Sequence, residues 1–70
     1  MRKSFDRQLA NYLRTTRGAL SYAQFAMKTG LSDATLHRLE NRERRITLNT
    51  LEVLCHRLKI KLSDIFPDEF

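Results

Sequence analysis

One arrangement recurs three times in this 70-residue chain: an apolar residue, then a serine or threonine, then a second apolar residue four positions further on. It appears as Leu20-Ser21 with Phe25, as Leu31-Ser32 with Leu36, and as Ile46-Thr47 with Leu51. The hydroxyl caps the open amides of a starting helix, and the two apolar side chains clamp the chain on either side of the cap. Helices therefore start at Ser21, Ser32 and Thr47. At the first of these, Gln24 stands where its side chain reaches back to the Ser21 amide, completing a capping box. Gly30 supplies the left-handed residue that stops the helix begun at Ser21. No strand alternation interrupts the pattern, and the fold class it dictates is all-α.

Apolar spacing fills in the remaining elements. Phe5, Leu9, Tyr12 and Leu13 recur at three- and four-residue steps and predict a helix over 5–16, with Ser4 before it and Gly18 after it. The helix begun at Ser32 runs to about Asn41, with Leu36 and Leu39 facing inward. The helix begun at Thr47 runs to about Leu58 and is expected to bury Leu48, Leu51, Leu54, Cys55 and Leu58, without Val53. Leu62, Ile65 and Phe66 predict a last short turn, stopped by Pro67. The expected architecture is a compact five-helix bundle forming a single domain over 1–70.

Charge narrows the partners. The chain carries +5 overall, but residues 62–70 hold three of its eight acids and none of its thirteen bases, leaving +8 on the body. So basic a surface on so small a body favours a polyanion, through release of the counterions condensed on phosphates. One cysteine, Cys55, forms no internal disulfide, and no apolar run is long enough for a signal peptide or membrane span. A reducing, cytoplasmic setting is the expectation, with no membrane partner.

The second and third helices are separated only by Thr29-Gly30-Leu31-Ser32, the spacing of a helix-turn-helix, here at about 21–41. On the third helix, Asp33, Ala34, His37, Arg38 and Asn41 form an outward ladder. Its chemistry suits base edges in a major groove: a guanidinium for guanine O6 and N7, a carboxylate for cytosine N4, a methyl for thymine. Asp33, Ala34, His37 and Arg38 are the candidate readers of bases. Arg42, Arg44 and Arg45 follow directly on the groove helix and are candidate phosphate contacts. A solvated charged loop is the plainer alternative for the three arginines. Asp33 likewise has a second reading, as a first-turn acid favouring the helix dipole.

The ordered run Leu20-Ser21, Phe25-Ala26, Gly30-Leu31-Ser32, Thr35-Leu36, Arg38-Leu39-Glu40-Asn41, Thr47-Leu48, Thr50-Leu51, Leu62 and Ile65-Phe66 resembles the lambda-repressor, Cro and XRE family of helix-turn-helix regulators. The resemblance implies a symmetric dimer on operator DNA, with the third helix in the major groove and phosphates held at the start of the second. It makes Ser21, Tyr22 and Ser32 phosphate contacts alongside the arginine loop, and Arg14 with Glu40 a buried ion pair. Ile60, Leu62, Phe66 and Phe70 are the candidate homodimer interface. The chain departs from the family at Tyr22, where many members have a phosphate-binding Gln, and at Arg42, where a helix-ending Gly is common. The second departure leaves Asn41 or Arg42 to make a strained turn.

Other chemistry finds little footing. Cys55, His56 and His37 fall short of a zinc ligand set, because adjacent helical residues point about 100° apart. There is no nucleophile–base pair, paired carboxylate or glycine-rich phosphate loop, so neither an enzyme nor a cofactor is expected. The rival function is a protein-interaction module, such as the antitoxin of a toxin pair, for which DNA is secondary. A toxin reading frame beside the gene would favour that rival.

Overall fold

The computed structural model describes residues 4–67 and 69, which form five helices: α1 (Phe5–Arg17), α2 (Tyr22–Thr29), α3 (Asp33–Glu40), α4 (Leu48–Leu58) and α5 (Leu62–Ile65). The three stapled starts are capped as the sequence requires. Gln24, Thr35 and Thr50 donate their amides to the hydroxyls of Ser21, Ser32 and Thr47, each at 3.1 Å. At α2 the Ser21 amide also donates to Gln24 Oε1 at 2.9 Å, closing the capping box.

The helix ends need left-handed backbone. Gly30 provides it after α2 (φ 77°), while Arg42 (φ 59°) and Lys59 (φ 56°) adopt it without being glycine. After α3 the Glu43 amide donates to the Arg38 carbonyl at 2.8 Å and the Arg42 amide to Leu39 at 3.2 Å. This is the wrapped helix ending that a left-handed residue permits. Of the two residues available for the strained turn, Arg42 makes it.

The turn between α2 and α3 is pinned from inside. Thr29 is fully buried; its hydroxyl donates to the Phe25 carbonyl at 3.0 Å and accepts from the Leu31 amide at 3.2 Å. From the far side, Arg57 of α4 donates to the Met27 carbonyl at 2.8 Å, tying α4 to the end of α2. The α3 helix packs on α1 and α2, and α5 on α1. Between them Leu9, Leu13, Phe25, Leu36, Leu39, Leu54, Ile65 and Phe66 form the buried core.

Three apolar residues lie elsewhere than their spacing suggests. Leu48 is 85% exposed: the α4 stripe is full at Leu54 and half-buried at Leu51, and the first turn projects past it. Phe5 is 57% exposed because it covers the core from outside, its ring 5.0 Å from that of Phe66. Phe66, expected at an interface between copies, is instead 5% exposed and part of the core. The chain turns at Phe66 before Pro67 and sends the ring inward. Phe70, the other terminal interface candidate, lies outside the described residues.

Candidate nucleic-acid interface

Two sides of α3 have opposite characters. Leu36, Leu39 and Glu40 are buried, whereas Asp33, Ala34, His37, Arg38 and Asn41 are all exposed. With 3.6 residues per turn, those five line one side of the helix as the ladder required. Arg38, the member with the widest hydrogen-bonding reach, forms no ion pair with any described residue. The Asn41 side chain is committed to its own helix, donating to the His37 carbonyl at 2.8 Å.

The loop after α3 is equally open, with Arg42, Glu43, Arg44 and Arg45 all exposed. Arg44 and Arg45 line a polar hollow of 190 Å³ with Ser32 and Thr35 of the first turn of α3 and Thr47 and Thr50 of α4. Arg42 meets Asp6 of α1 at 3.4 Å, and Arg44 and Arg45 also border the 480 Å³ groove that Asp6 lines. The Asp6 carboxyl is held below its ordinary range by a hydrogen bond from Ser4 and, after it, by Arg42. The hollow thus gathers three of the expected phosphate residues, and Arg42, Ser21 and Tyr22 stand apart from it.

Behind α3, Glu40 is the hub that fixes the helix. Its carboxylate is buried and accepts from Arg17 Nε at 2.8 Å, Arg17 Nη2 at 3.0 Å and the Tyr22 hydroxyl at 3.3 Å. Arg14, the expected ion-pair partner, instead donates to the backbone carbonyl of Glu40 at 2.9 Å. Arg14 and Arg17 are neighbours on one face of α1, three residues apart. Arg17, nearer the helix end, takes the carboxylate, and Arg14 satisfies a carbonyl that the end of α3 leaves without an intrahelical donor. The Glu40 carboxylate in turn raises the pKa of the Arg17 guanidinium. A bidentate pair of this kind sets geometry as well as charge.

Tyr22 also departs from expectation. A phenol has one proton to donate, and here it is directed at Glu40. The ring lies beneath Arg17, whose Cζ is 4.3 Å from its centroid. What remains at the start of α2 is backbone: the first amides of a helix have no intrahelical acceptor, and they suit an anion.

Residues 11–70 match the family model of the Cro/C1-type HTH DNA-binding domain. The chain belongs to that family. The match spans both arginines that converge on Glu40, the whole helix-turn-helix and the arginine loop. Comparison with curated proteins gives no significant match, and neither does comparison with solved structures. As a Cro/C1-type domain the protein is a DNA-binding regulator, and α2 and α3 are its helix-turn-helix.

The remaining candidates are scattered. Cys55 is half-buried and its thiol pKa is pushed up, by burial first and then by Asp64. Among the described residues no three His, Cys, Asp or Glu side chains are grouped as metal ligands, and no helix is long and apolar enough to cross a membrane. Of the expected interface between copies, Ile60 is half-buried against the core and Leu62 is 39% exposed. Leu48, which the sequence assigned to the core, lies beside them. Leu48, Leu51 and Leu62 border two adjoining grooves of 550 and 480 Å³, one of them continuing to Ile60 and the other to Phe5.

Proposed function

We propose that this Cro/C1-type domain is a cytoplasmic, sequence-specific transcriptional regulator, acting as a repressor or autoregulator, that binds operator DNA as a homodimer. The observation that carries this reading is the division of α3. One side is locked into the core through Leu36, Leu39 and Glu40, and the other holds Asp33, Ala34, His37 and Arg38 in the open. A helix anchored from behind can enter a major groove without losing its orientation.

The roles follow from the side chains. Arg38 pairs with guanine O6 and N7, Asp33 accepts from cytosine N4, Ala34 meets a thymine methyl, and His37 reaches a neighbouring base edge. Arg44, Arg45 and Ser32 surround one phosphate in their shared hollow. The start of α2, with Ser21 and the amide of Tyr22, takes another, and Arg42 leaves Asp6 to take a third.

An eight-residue helix reads too few bases to be selective alone, which is the argument for two copies on two half-sites. The grooves beside Leu48 and Leu62 favour this face as the junction, since exposed leucines gathered along a groove mark an interaction surface.

Selection of bound fragments from random duplex DNA tests the whole reading. The expected result is one enriched motif repeated with two-fold symmetry, its half-sites about 34 Å apart on one face of the duplex. Light scattering of the complex should give two chains per site. A selected pool no richer in any motif than the starting pool overturns sequence-specific binding.

A further inference from the structure

Tyr22 touches three groups from two other helices. Its hydroxyl donates to Glu40 of α3, its ring is stacked by the guanidinium of Arg17 of α1, and its ring meets the imidazole of His37 of α3. The last contact has ring centroids 5.4 Å apart and planes at 68°, the edge-to-face arrangement that aromatic quadrupoles favour. A tyrosine side chain has two rotatable torsions. The hydroxyl bond fixes where the ring points and the stacked guanidinium fixes its plane, so Tyr22 is a rigid wall.

His37 is the residue this wall restrains. It is exposed on the ladder of α3, between Ala34 and Arg38, where an imidazole with no neighbour would exchange among staggered rotamers. Asn41 bonds to the His37 backbone carbonyl and leaves the ring alone. The Tyr22 ring is therefore the contact that limits where the imidazole lies on an otherwise open surface. Ordering a side chain before it binds removes part of the entropy it loses on binding.

We infer that Tyr22 is a positioning residue for sequence readout. Held by Arg17 and Glu40, it sets the His37 imidazole against one base pair, and its own side chain contacts neither base nor phosphate. This inference rests on the reading of α3 as the groove helix. It adds, to the proposed reader His37, the residue that orients it, and it makes the part-buried Arg17–Glu40 pair the anchor of that arrangement.

The experiment measures base preference at every position of a selected site for the parent, His37→Ala, Tyr22→Leu, Tyr22→Phe and the His37→Ala/Tyr22→Leu double variant. His37→Ala should lose preference at one base pair. Tyr22→Leu should weaken preference at that same base pair by about 3- to 10-fold, leaving the other positions and the salt dependence as in the parent. Tyr22→Phe keeps the ring and should retain most of the preference, and the double variant should be no worse than His37→Ala.

Equal weakening on all sequences with a flatter salt dependence in Tyr22→Leu makes Tyr22 a phosphate contact and overturns the inference. So does an effect at a different base pair, or none. A parent with no base preference overturns the groove reading itself, which separates the two failures. Should Tyr22→Leu fail to fold, NMR of the unliganded parent decides: one His37 χ1 rotamer with Tyr22–His37 ring cross-peaks supports the inference, and averaged rotamers overturn it.

Discussion

Ser32 and Thr47 begin α3 and α4 with the same bonds. Each accepts the amide three residues on at 3.1 Å, and each shares a hydrogen bond with a threonine hydroxyl, at 2.8 Å for Ser32–Thr35 and 2.9 Å for Thr47–Thr50. Immediately after the caps the two helices part. The first position of α3 is Asp33, an exposed acid that suits the positive end of a helix. The first position of α4 is Leu48, which offers the helix end nothing electrostatic and is 85% exposed. The cap residue fixes where a helix begins. The residue after it, free of any duty in the cap, differs in what it exposes: a charge at α3, and an apolar side chain at α4.

The contrast breaks most visibly at Leu48. If that leucine meets a second copy, Leu48→Gln with Leu62→Gln should leave the fold within about 0.5 kcal/mol of the parent, since both side chains lie at the surface. Binding to a two-half-site duplex should nevertheless fall by about 10²- to 10⁴-fold, because each half-site is then filled independently. Light scattering should report single chains. A double variant that stays dimeric with parental affinity would show that α4 does not face its own copy.

At α3 the corresponding probe is Arg38→Ala. Taking the guanine-binding fork off the ladder should cost about 1 to 3 kcal/mol on the selected site and far less on random duplex, with thermal stability little changed. A surface ion pair would behave in the opposite way, but Arg38 has none among the described residues. Equal base discrimination by Arg38→Ala and the parent removes Arg38 from the readers.

What the sequence made legible depended on range. Caps, staples and the stop at Gly30 involve residues within five positions of each other, and all were readable because the bonds are local. The inner and outer sides of α3 were readable for the same reason, since helical periodicity assigns them. The partner of Glu40 was not. Arg14 and Arg17 share one face of α1, and which takes the carboxylate and which the carbonyl is decided only when α3 docks against the end of α1. Tyr22 at the start of α2 read as a surface residue until Glu40 drew its hydroxyl inward. Periodicity also placed Leu48 in line with Leu51 and Leu54, but it says nothing about where the core ends along a helix. Phe5 and Phe66 pack together with tilted rings, and the outer of the two, Phe5, is the exposed one.

Between the two helices, Arg44 and Arg45 give a smaller and more uniform effect. Arg44→Ala or Arg45→Ala should weaken binding to every sequence alike and flatten the plot of log affinity against log salt by about 0.9 for each phosphate no longer neutralised. The preferred site should stay the same. A variant with the parental slope, or one that selects a different motif, assigns the hollow between α3 and α4 another role.

The smallest effect is expected at Arg42, and it should carry opposite signs for folding and for binding. Arg42 holds left-handed backbone at φ 59°, which costs a residue with a side chain about 1 to 2 kcal/mol, while glycine surrenders about 0.5 to 1 kcal/mol more chain entropy on folding. Arg42→Gly also gives up an exposed, salt-screened pair with Asp6, which contributes little. The balance favours the glycine variant by a few tenths of a kcal/mol at neutral pH. That margin should widen in acid. The Asp6 carboxyl is depressed first by the Ser4 hydrogen bond, which the variant keeps, and then by Arg42, so only the Arg42 share separates the two proteins: it is present above the ordinary value near 3.8 and lost as pH falls through the lower, folded one. Binding should move the other way, with weaker affinity on all sequences and a salt slope flatter by about 0.9, as one phosphate is left without its arginine. Urea unfolding and salt titration of the same variant measure both. A stabilised variant with unchanged DNA affinity would mean that Arg42 stays with Asp6 in the complex. A destabilised one would mean that the Asp6 contact outweighs the strain of the turn.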